Sequence, residues 1–195
     1  MFLYKSAMRE VCTKLEILKD EFQNTHRYNP IEYIESRLKT PESIVKKLQR
    51  LGKDTSMQNM VEHVNDIAGV RIVCSFTTDI YLIADMIRRL KKFEILKVKD
   101  YIENPKQSGY RSYHLIINVP VYTTTDIVYT KVEIQIRTIA MDFWASLEHK
   151  IQYKFEGDAP ENISRDLRSC AKIVAMLDEK MLSLNEEIRQ ANPER

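Results

Sequence analysis

Apolar and polar positions follow two different periods along this chain, and the two periods predict both helices and strands. Near the N-terminus, apolar residues recur every three or four positions, which is the spacing of an amphipathic helix. These residues are Met8, Val11, Leu15, Leu18 and Phe22. The same spacing recurs at about 41–51, at 80–90, from 138 onwards and after Pro160. We therefore expect helices at both ends of the chain and a mixed region between them.

The predicted helix at 41–51 carries its own start and stop signals. Thr40 is a residue type that caps helix N-termini, and Pro41 suits the first helical position, where its missing N–H would have no partner. Gly52 is the residue type that most often ends a helix. Upstream, Pro30 or one of its neighbours starts another element, whose type the pattern leaves open.

Other segments alternate with a period of two, which places apolar side chains on one face of a strand and polar ones on the other. Three apolar faces follow this rule: Val70, Ile72, Cys74 and Phe76; Leu115, Ile117, Val119 and Val121; and Val132, Ile134 and Ile136. A further strand is expected at about 95–101. The polar residues 123–126 indicate a turn between two strands.

The polar sides of these strands carry the residue types of a phosphoryl-transfer site. Two carboxylates, two guanidiniums, a carboxamide and an imidazole lie on these sides or just before the first strand: Asp66, Arg71, His114, Glu133, Gln135 and Arg137. If the strands share a sheet and an orientation, Asp66 and Glu133 lie near the cations on one surface. Two carboxylates ringed by cations suit Mg²⁺ and phosphates. An ordinary solvated sheet face is the alternative interpretation.

Composition narrows the class of protein. With 195 residues, 44% of them apolar and 30% charged, the chain has the make-up of one globular domain. A net charge of +2 gives no general argument for binding DNA, RNA or a membrane, so an anionic ligand needs a local cluster of cations. Cys12, Cys74 and Cys170 lack zinc-site spacing and are expected to be core thiols in a reducing compartment. No signal peptide or membrane span is predicted, and a cytoplasmic location is expected.

Glycine usage excludes two common nucleotide-binding motifs. Only four glycines occur in the sequence, and a Walker A loop or a GxGxxG fingerprint needs several of them clustered around the phosphate. Side chains must therefore hold any nucleotide. A basic series within fourteen residues is available: Arg37, Lys39, Lys46, Lys47 and Arg50. On the predicted helix, Ser43, Lys47 and Arg50 share one face, which is either a solvated surface or a phosphate-binding one.

Five motifs occur in the order of a known family. They are RxK at 37–39, DIAGVR at 66–71, GYRSYH at 109–114, VEIQIRT at 132–138 and MDFWASLEHKIQYK at 141–154. Through them the chain resembles the small alarmone synthetases, stand-alone RelA/SpoT-type domains, over roughly residues 30–156. The resemblance implies an α+β fold with a mixed, mainly antiparallel sheet of about five strands flanked by helices. It also implies one synthetase domain over 1–195, whose terminal helices, at about 2–26 and 160–190, serve packing or assembly into a homotetramer.

The resemblance further implies a reaction. The β,γ-pyrophosphate of ATP would pass to the 3′-hydroxyl of GDP or GTP, releasing AMP, with Mg²⁺ as cofactor. The HD-type hydrolase motif of the long bifunctional relatives is absent, so synthesis without hydrolysis is expected. Two alternatives stay open: toxic relatives of the same fold pyrophosphorylate the 3′ end of tRNA, and a non-catalytic chain would only bind guanine nucleotide or RNA as a regulator. Relatives carry Asn or His at the position of Asp142, which leaves the choice between GDP and GTP open.

The matched motifs also imply a role for each residue. Asp66 would ligate Mg²⁺, and Glu133 would share the metal and accept the proton of the attacking hydroxyl. Arg37 and Arg71 would enclose adenine between planar guanidiniums, and Tyr110 would stack on guanine. The ATP phosphates would be held by Lys39, Ser43, Lys47 and Arg50. The guanine-nucleotide side would be lined by Lys106, His114, Gln135 and Arg137.

Overall fold

A five-stranded sheet forms the centre of the structure, a computed structural model that describes residues 1–153 and 160–191. In chain order the strands are β1 (Ile31–Leu38), β2 (Ala68–Cys74), β3 (Glu94–Asp100), β4 (Tyr113–Tyr122) and β5 (Ile127–Thr138). Across the sheet their order is β1-β2-β5-β4-β3. β2 and β5 run parallel, and the other three neighbouring pairs run antiparallel. The predicted mixed, mainly antiparallel sheet is thus confirmed.

The described residues also form six helices around this sheet. They are α1 (Phe2–Thr25), α2 (Pro41–Arg50), α3 (Met57–His63), α4 (Thr77–Arg89), α5 (Ile139–Tyr153) and α6 (Glu161–Ala191). α1 lies against β1, β2, β4 and β5 and buries Val11 and Leu15 there. Burying one such side chain contributes about 1.5–3 kcal/mol, so α1 is an integral part of the core. No helix in the described residues is both long and apolar enough to cross a membrane.

Local signals predicted several boundaries closely. α2 begins at Pro41, and the Thr40 side chain accepts a hydrogen bond from the Ser43 backbone N–H at 3.3 Å. Gly52 follows the helix with φ +66°, a left-handed conformation that favours glycine. The turn at 123–126 is closed by the Thr123 N–H, which donates to the Asp126 carbonyl at 2.9 Å. The strand predicted at 70–76 ends earlier, at Cys74, because Phe76 is the N-cap of α4.

Two elements lacked a clear pattern. The element after Pro30 is the edge strand β1, in which Ile31 alone is fully buried. A strand with one neighbour and little burial shows only a weak alternation of apolar residues. α3 buries none of its described residues, so it has no apolar stripe to detect. Lys154 of the fifth motif and Gly157 lie outside the described residues.

α6 turns a different face to the domain than its apolar stripe suggests. The buried positions are Ala171, Ala175 and Asp178. Of the apolar residues that recur every three or four positions along this helix, Leu167 and Val174 are partly buried against the cluster that contains Ala171, whereas Leu177 and Ile188 are 52% and 63% exposed. Close packing of α6 on its neighbours selects small side chains at the contact, and alanines carry little hydrophobic signal.

The three cysteines differ in how deeply they are buried. Cys74 is buried in β2 and Cys12 is half-buried, but Cys170 is exposed on α6. The prediction of a core thiol is therefore wrong for Cys170. The helical turn of about 100° per residue carries it away from the contact that its neighbour Ala171 makes.

Candidate active site

Two cavities adjoin along a shared polar wall formed by Asp66, Glu133 and Gln135. We call the first the arginine cavity; it measures about 370 Å³ and is also lined by Glu35, Ser36, Arg37, Lys39, Gly69, Val70 and Arg71. We call the second the tyrosine cavity; it measures about 360 Å³ and is also lined by Lys47, Lys99, Tyr101, Lys106, Ser108, Tyr110, His114 and Glu148. Each has room for part of a nucleotide-sized ligand.

Strand register explains why these side chains meet. Residues paired across neighbouring strands point to the same face of a sheet. One such row crosses all five strands, from β1 to β3: Glu35, Arg71, Gln135, His114 and Lys99. Glu133 lies two residues before Gln135, and it pairs with Gly69, which has no side chain to fill the space beside it. The sheet therefore presents charged groups of both cavities on one surface.

Asp66 lies just before β2 between two ammonium groups. Lys47 Nζ is 2.6 Å from its Oδ1, and Lys39 Nζ is 3.0 Å from its Oδ2. Burial alone would raise the pKa of Asp66, but the two lysines outweigh burial and lower it. Asp66 is therefore ionised at neutral pH, with an ammonium group on each of its oxygens.

Glu133 is held by its neighbours on the same polar face. Gln135 Nε2 donates to its Oε2 at 2.8 Å, and His114 Nδ1 lies 3.4 Å from its Oε1. Burial would raise the pKa of Glu133, but His114 and Gln135 outweigh burial and lower it. Burial also lowers the pKa of His114 below its usual 6.5, so the imidazole is neutral at pH 7. An ionised Glu133 beside a neutral His114 can accept a proton.

Tyr110 is fixed through its hydroxyl. The hydroxyl lies 2.9 Å from His114 Nε2 and accepts a hydrogen bond from Arg137 Nη2 at 2.6 Å. Donation of the Tyr110 proton to Nε2 leaves Nδ1 as the protonated nitrogen that faces Glu133. Lys106 Nζ lies 4.6 Å from the centre of the Tyr110 ring. The ring is thus oriented before any ligand arrives.

Arg137 lies beneath the tyrosine cavity. It is only 5% exposed and lines neither cavity among the described residues. Its guanidinium donates to Gln135 Oε1 at 2.8 Å and to Asp142 Oδ1 at 3.0 Å. The resemblance assigns Arg137 to the guanine-nucleotide side; here it supports the residues that form that side.

The structure divides the remaining predicted ATP-binding residues. Arg37, Lys39 and Arg71 line the arginine cavity together. Lys47 lines the tyrosine cavity and reaches the shared wall through Asp66. Ser43 and Arg50 line neither of these two cavities in the described part of the chain, and the Ser43 hydroxyl accepts a hydrogen bond from Thr40 at the start of α2.

Sequence reasoning missed several residues of the site. Tyr101 and Lys99 line the tyrosine cavity from the β3 side, where the predicted strand carried no singled-out residue. Glu148 of α5 also lines it, and burial raises the pKa of its carboxyl. Its signal was its place in the fifth motif. Asp142 was noted only as a variable position, yet it contacts Arg71 and Arg137.

A divalent cation fits the shared wall. Among the described residues, no cluster of three or more His, Cys, Asp or Glu side chains is arranged to hold a metal. Mg²⁺ does not need such a cage, because it retains water and binds through one or two carboxylates together with substrate phosphates. Asp66 and Glu133, both ionised and both on the shared wall, match that donor set.

Known proteins resemble this chain over most of its length. The model of a region found in RelA/SpoT proteins matches residues 36–158. GTP pyrophosphokinase YwaC of Bacillus subtilis is 50% identical over 188 residues, which are 96% of this chain and 90% of that protein. GTP pyrophosphokinase YjbM of the same organism is 37% identical over 96% of this chain and 88% of its own length.

Solved structures agree with the sequence comparison. Small alarmone synthetase 1 from Bacillus subtilis, bound to its product pppGpp, superposes with a TM-score of 0.90 at 36% identity, covering 96% of this chain and 95% of that one. Small alarmone synthetase 2 from the same organism gives 0.86 at 49% identity, covering 95% and 96% of the two chains. The chain therefore belongs to the RelA/SpoT family and has the fold of its small alarmone synthetases.

Proposed function

We propose that this protein is a GTP pyrophosphokinase that transfers the β,γ-pyrophosphate of ATP to the 3′-hydroxyl of GDP or GTP. The products are ppGpp or pppGpp and AMP. The observation that carries the proposal is the pair of adjoining cavities with Asp66, Glu133 and Gln135 on their common wall. A transfer between two nucleotides needs two such sites with the reacting atoms at their boundary.

ATP would occupy the arginine cavity. Arg37 and Arg71 supply planar guanidiniums that stack on a purine, which a lysine ammonium does less well. Lys39 lines this cavity beside Asp66, in reach of phosphates that extend toward the shared wall. The AMPCPP-bound structure of small alarmone synthetase 1, at 32% identity and a TM-score of 0.81, is consistent with a bound adenine nucleotide in this fold.

The guanine nucleotide would occupy the tyrosine cavity. Tyr110 offers a pre-oriented ring for the base, and stacking of one base on an aromatic ring is worth about 1–3 kcal/mol. Lys47, Lys99 and Lys106 surround the cavity with positive charge for the phosphates of the acceptor. Glu148 lines this cavity and would accept hydrogen bonds from the donor groups of guanine.

The reaction follows from this placement. The 3′-oxygen of the acceptor attacks the β-phosphorus of ATP, a new O–P bond forms, and the bond between that phosphorus and the α,β-bridging oxygen breaks. The leaving AMP keeps the bridging oxygen. Glu133 is ionised and takes the proton of the 3′-hydroxyl. Mg²⁺, which Asp66 and Glu133 would hold, neutralises charge on the phosphates when bound.

The exposed apolar face of α6 bears on how the protein assembles. Four of the exposed apolar side chains of α6 recur every three or four positions and suit burial against further copies of the chain: Leu177, Met181, Leu184 and Ile188. We infer a homotetramer, as the family resemblance implies, in which both terminal helices pack between subunits of one synthetase domain each. The protein would act in the cytoplasm, where its nucleotide substrates are available, and would synthesise alarmone without hydrolysing it.

The test is a product assay. The purified protein is incubated with ATP, Mg²⁺ and either GDP or GTP, and the nucleotides are separated by anion exchange. We expect AMP and an equal amount of a more highly charged guanine nucleotide. Glu133→Gln should fold normally and lose activity by roughly 10²- to 10⁴-fold, the usual loss for a missing general base.

A matched control is Glu21→Gln, which alters an exposed glutamate of α1 that is not among the residues described as lining either cavity and should leave turnover unchanged. If Glu133→Gln turned over at the wild-type rate, the assignment of the site would be wrong. If the wild-type protein formed no product from either acceptor, the weight would move to tRNA pyrophosphorylation or to a binding role.

A further inference from the structure

A buried carboxylate, that of Asp142, contacts one arginine beside each of the two cavities. Asp142, in the first turn of α5, is 7% exposed. Its Oδ1 is 3.2 Å from Arg71 Nη1 and 3.0 Å from Arg137 Nη1, and its Oδ2 accepts a hydrogen bond from the Tyr33 hydroxyl at 3.1 Å. Strands β1, β2 and β5 therefore converge on this one side chain.

The two arginines serve different cavities. Arg71 lines the arginine cavity directly. Arg137 acts one step behind the tyrosine cavity, because it donates to the Tyr110 hydroxyl at 2.6 Å and to Gln135 Oε1 at 2.8 Å. A single carboxylate oxygen thus bears on ligand-binding groups of both sites.

Charge makes this oxygen important. A guanidinium is a cation, so without Asp142 two neighbouring positive charges would repel each other in a partly buried space. Arg71 has only weak support elsewhere: its Nε is buried without a hydrogen-bond partner among the described residues. Its other carboxylate partner, Glu35, lies 3.2 Å away with a side chain that is 61% exposed, and an exposed ion pair holds a side chain weakly.

We propose that Asp142 is a positioning residue that couples the binding of the two nucleotides. The proposal rests on the proposed function, since it assigns ATP to the arginine cavity and the guanine nucleotide to the tyrosine cavity. Arg137 is already held by Tyr110 and Gln135, so a guanine nucleotide on Tyr110 would steady Asp142 through Arg137, and the shared oxygen would then restrain the less supported Arg71. Binding of ATP would then cost the protein less conformational entropy and would be tighter, and by linkage ATP would tighten the guanine nucleotide by the same factor.

Asp142→Asn tests this with little change of shape. The amide keeps the size of the side chain but removes the negative charge shared by the two guanidiniums. We expect the KM for ATP and the KM for GDP to rise together, each by about tenfold, which lies within the range of about 5- to 150-fold for coupled sites. Calorimetry with the ATP analogue AMPCPP adds a second readout: GDP should tighten analogue binding to the wild-type protein and should no longer do so in the variant.

Glu35→Gln is the matched control for Arg71. It removes the other carboxylate partner of this arginine and leaves Arg137 untouched. We expect a small rise in the KM for ATP, an unchanged KM for GDP, and retained tightening of AMPCPP by GDP. Loss of that tightening in Glu35→Gln as well would contradict a specific role for Asp142.

Tyr33→Phe covers the case in which Asp142→Asn does not fold. It removes only the hydrogen bond to Oδ2, so both KM values should rise by a smaller factor while the melting temperature stays close to that of the wild type. A lowered melting temperature with both KM values and the coupling unchanged would reduce Asp142 to a structural residue. Wild-type protein that makes no product refutes the proposed function itself, whereas normal synthesis with unaltered kinetics in both variants refutes only the coupling.

Discussion

The loop at 105–111, which carries Lys106 into the tyrosine cavity and leads into Tyr110, rests on α6 through Gly109. Gly109 has φ +89°, a region that side chains with a Cβ rarely adopt. A Cβ added there would lie well inside van der Waals contact of the Ala171 Cβ on α6. The Gly109 N–H also donates to the Lys106 carbonyl at 2.8 Å, which closes the turn. The loop therefore has its conformation because residue 109 is glycine and residue 171 is small.

The variant Gly109→Ala should disturb this loop by two separate effects. The unfavourable φ costs about 1–3 kcal/mol, and overpacking against α6 costs a further 1–3 kcal/mol or so if nothing moves. Because a surface loop can shift, we expect part of this energy to be relieved by movement of the loop away from α6. The remainder, about 1–3 kcal/mol, would appear as a lower free energy of unfolding.

Movement of the loop should raise the KM for the guanine nucleotide and leave the KM for ATP nearly unchanged. Lys106 and Tyr110 would leave their places, so the KM for GDP or GTP should rise by about tenfold, equivalent to about 1.4 kcal/mol. The KM for ATP should stay within about twofold, because the arginine cavity contains no residue of this loop. Steady-state kinetics with each nucleotide varied in turn, together with urea denaturation, measure both effects.

The double variant Gly109→Ala/Ala171→Gly separates the two costs. Removing the Ala171 Cβ relieves the overpacking and leaves the unfavourable φ, so about half of the lost stability and binding should return. Ala171→Gly alone should cost about 1 kcal/mol, the usual penalty for glycine within a helix. The double-mutant cycle should give a coupling free energy of about 1–3 kcal/mol between positions 109 and 171. A Gly109→Ala protein with wild-type kinetics and stability, or one whose KM for ATP rises as much as that for GDP, would contradict this role of Gly109 in holding the loop.

Three further predictions concern single residues. Tyr110→Ala should raise the guanine-nucleotide KM by about 5- to 150-fold and Tyr110→Phe much less, because the phenyl ring still stacks; equal effects in steady-state kinetics would contradict stacking. Thr138 caps α5 at the Met141 N–H (3.1 Å) and donates to buried Asp178 (2.8 Å), so Thr138→Ala should lower the free energy of unfolding by about 2–3 kcal/mol, with Thr138→Ser as control; a loss below about 0.5 kcal/mol in urea denaturation would be inconsistent with the cap. The pKa of His114 is lower in the folded protein than in the unfolded chain, so the unfolded chain binds the proton at a higher pH. The stability that this difference contributes is complete above about pH 6.5 and is lost as the pH falls towards the folded-state pKa. His114→Asn should flatten the plot of the free energy of unfolding against pH between about pH 7.5 and 5.5, and an unchanged plot would show that another group causes the slope.

The sequence predicted the parts of the site that depend on strand alternation. Glu133 and Gln135 lie on one polar face because of their spacing alone, and register then brings Arg71 and His114 beside them. Asp66 was predicted to join them and lines the same wall. Local chemistry of this kind can be read from a few neighbouring residues.

Features that depend on packing between distant elements could not be predicted in the same way. Lys47 shares a helix face with Ser43 and Arg50, yet it alone reaches the shared wall, because the position of α2 relative to Asp66 decides which of them does. α6 presents alanines to the domain, and these give no periodic apolar signal, so its apolar stripe was an ambiguous guide. The bridge at Asp142 joins β2, β5 and α5, and no local pattern marks it.

The most direct test of the account follows the transferred group itself. ATP labelled with ³²P at either the β or the γ position is incubated with the protein, Mg²⁺ and GDP, and the label in the guanine nucleotide is compared with the AMP formed. Both labels should move to the product in equal amounts, one per AMP, because the attack occurs at the β-phosphorus. Transfer of the γ label alone with release of ADP would indicate an ordinary kinase and would contradict the central claim.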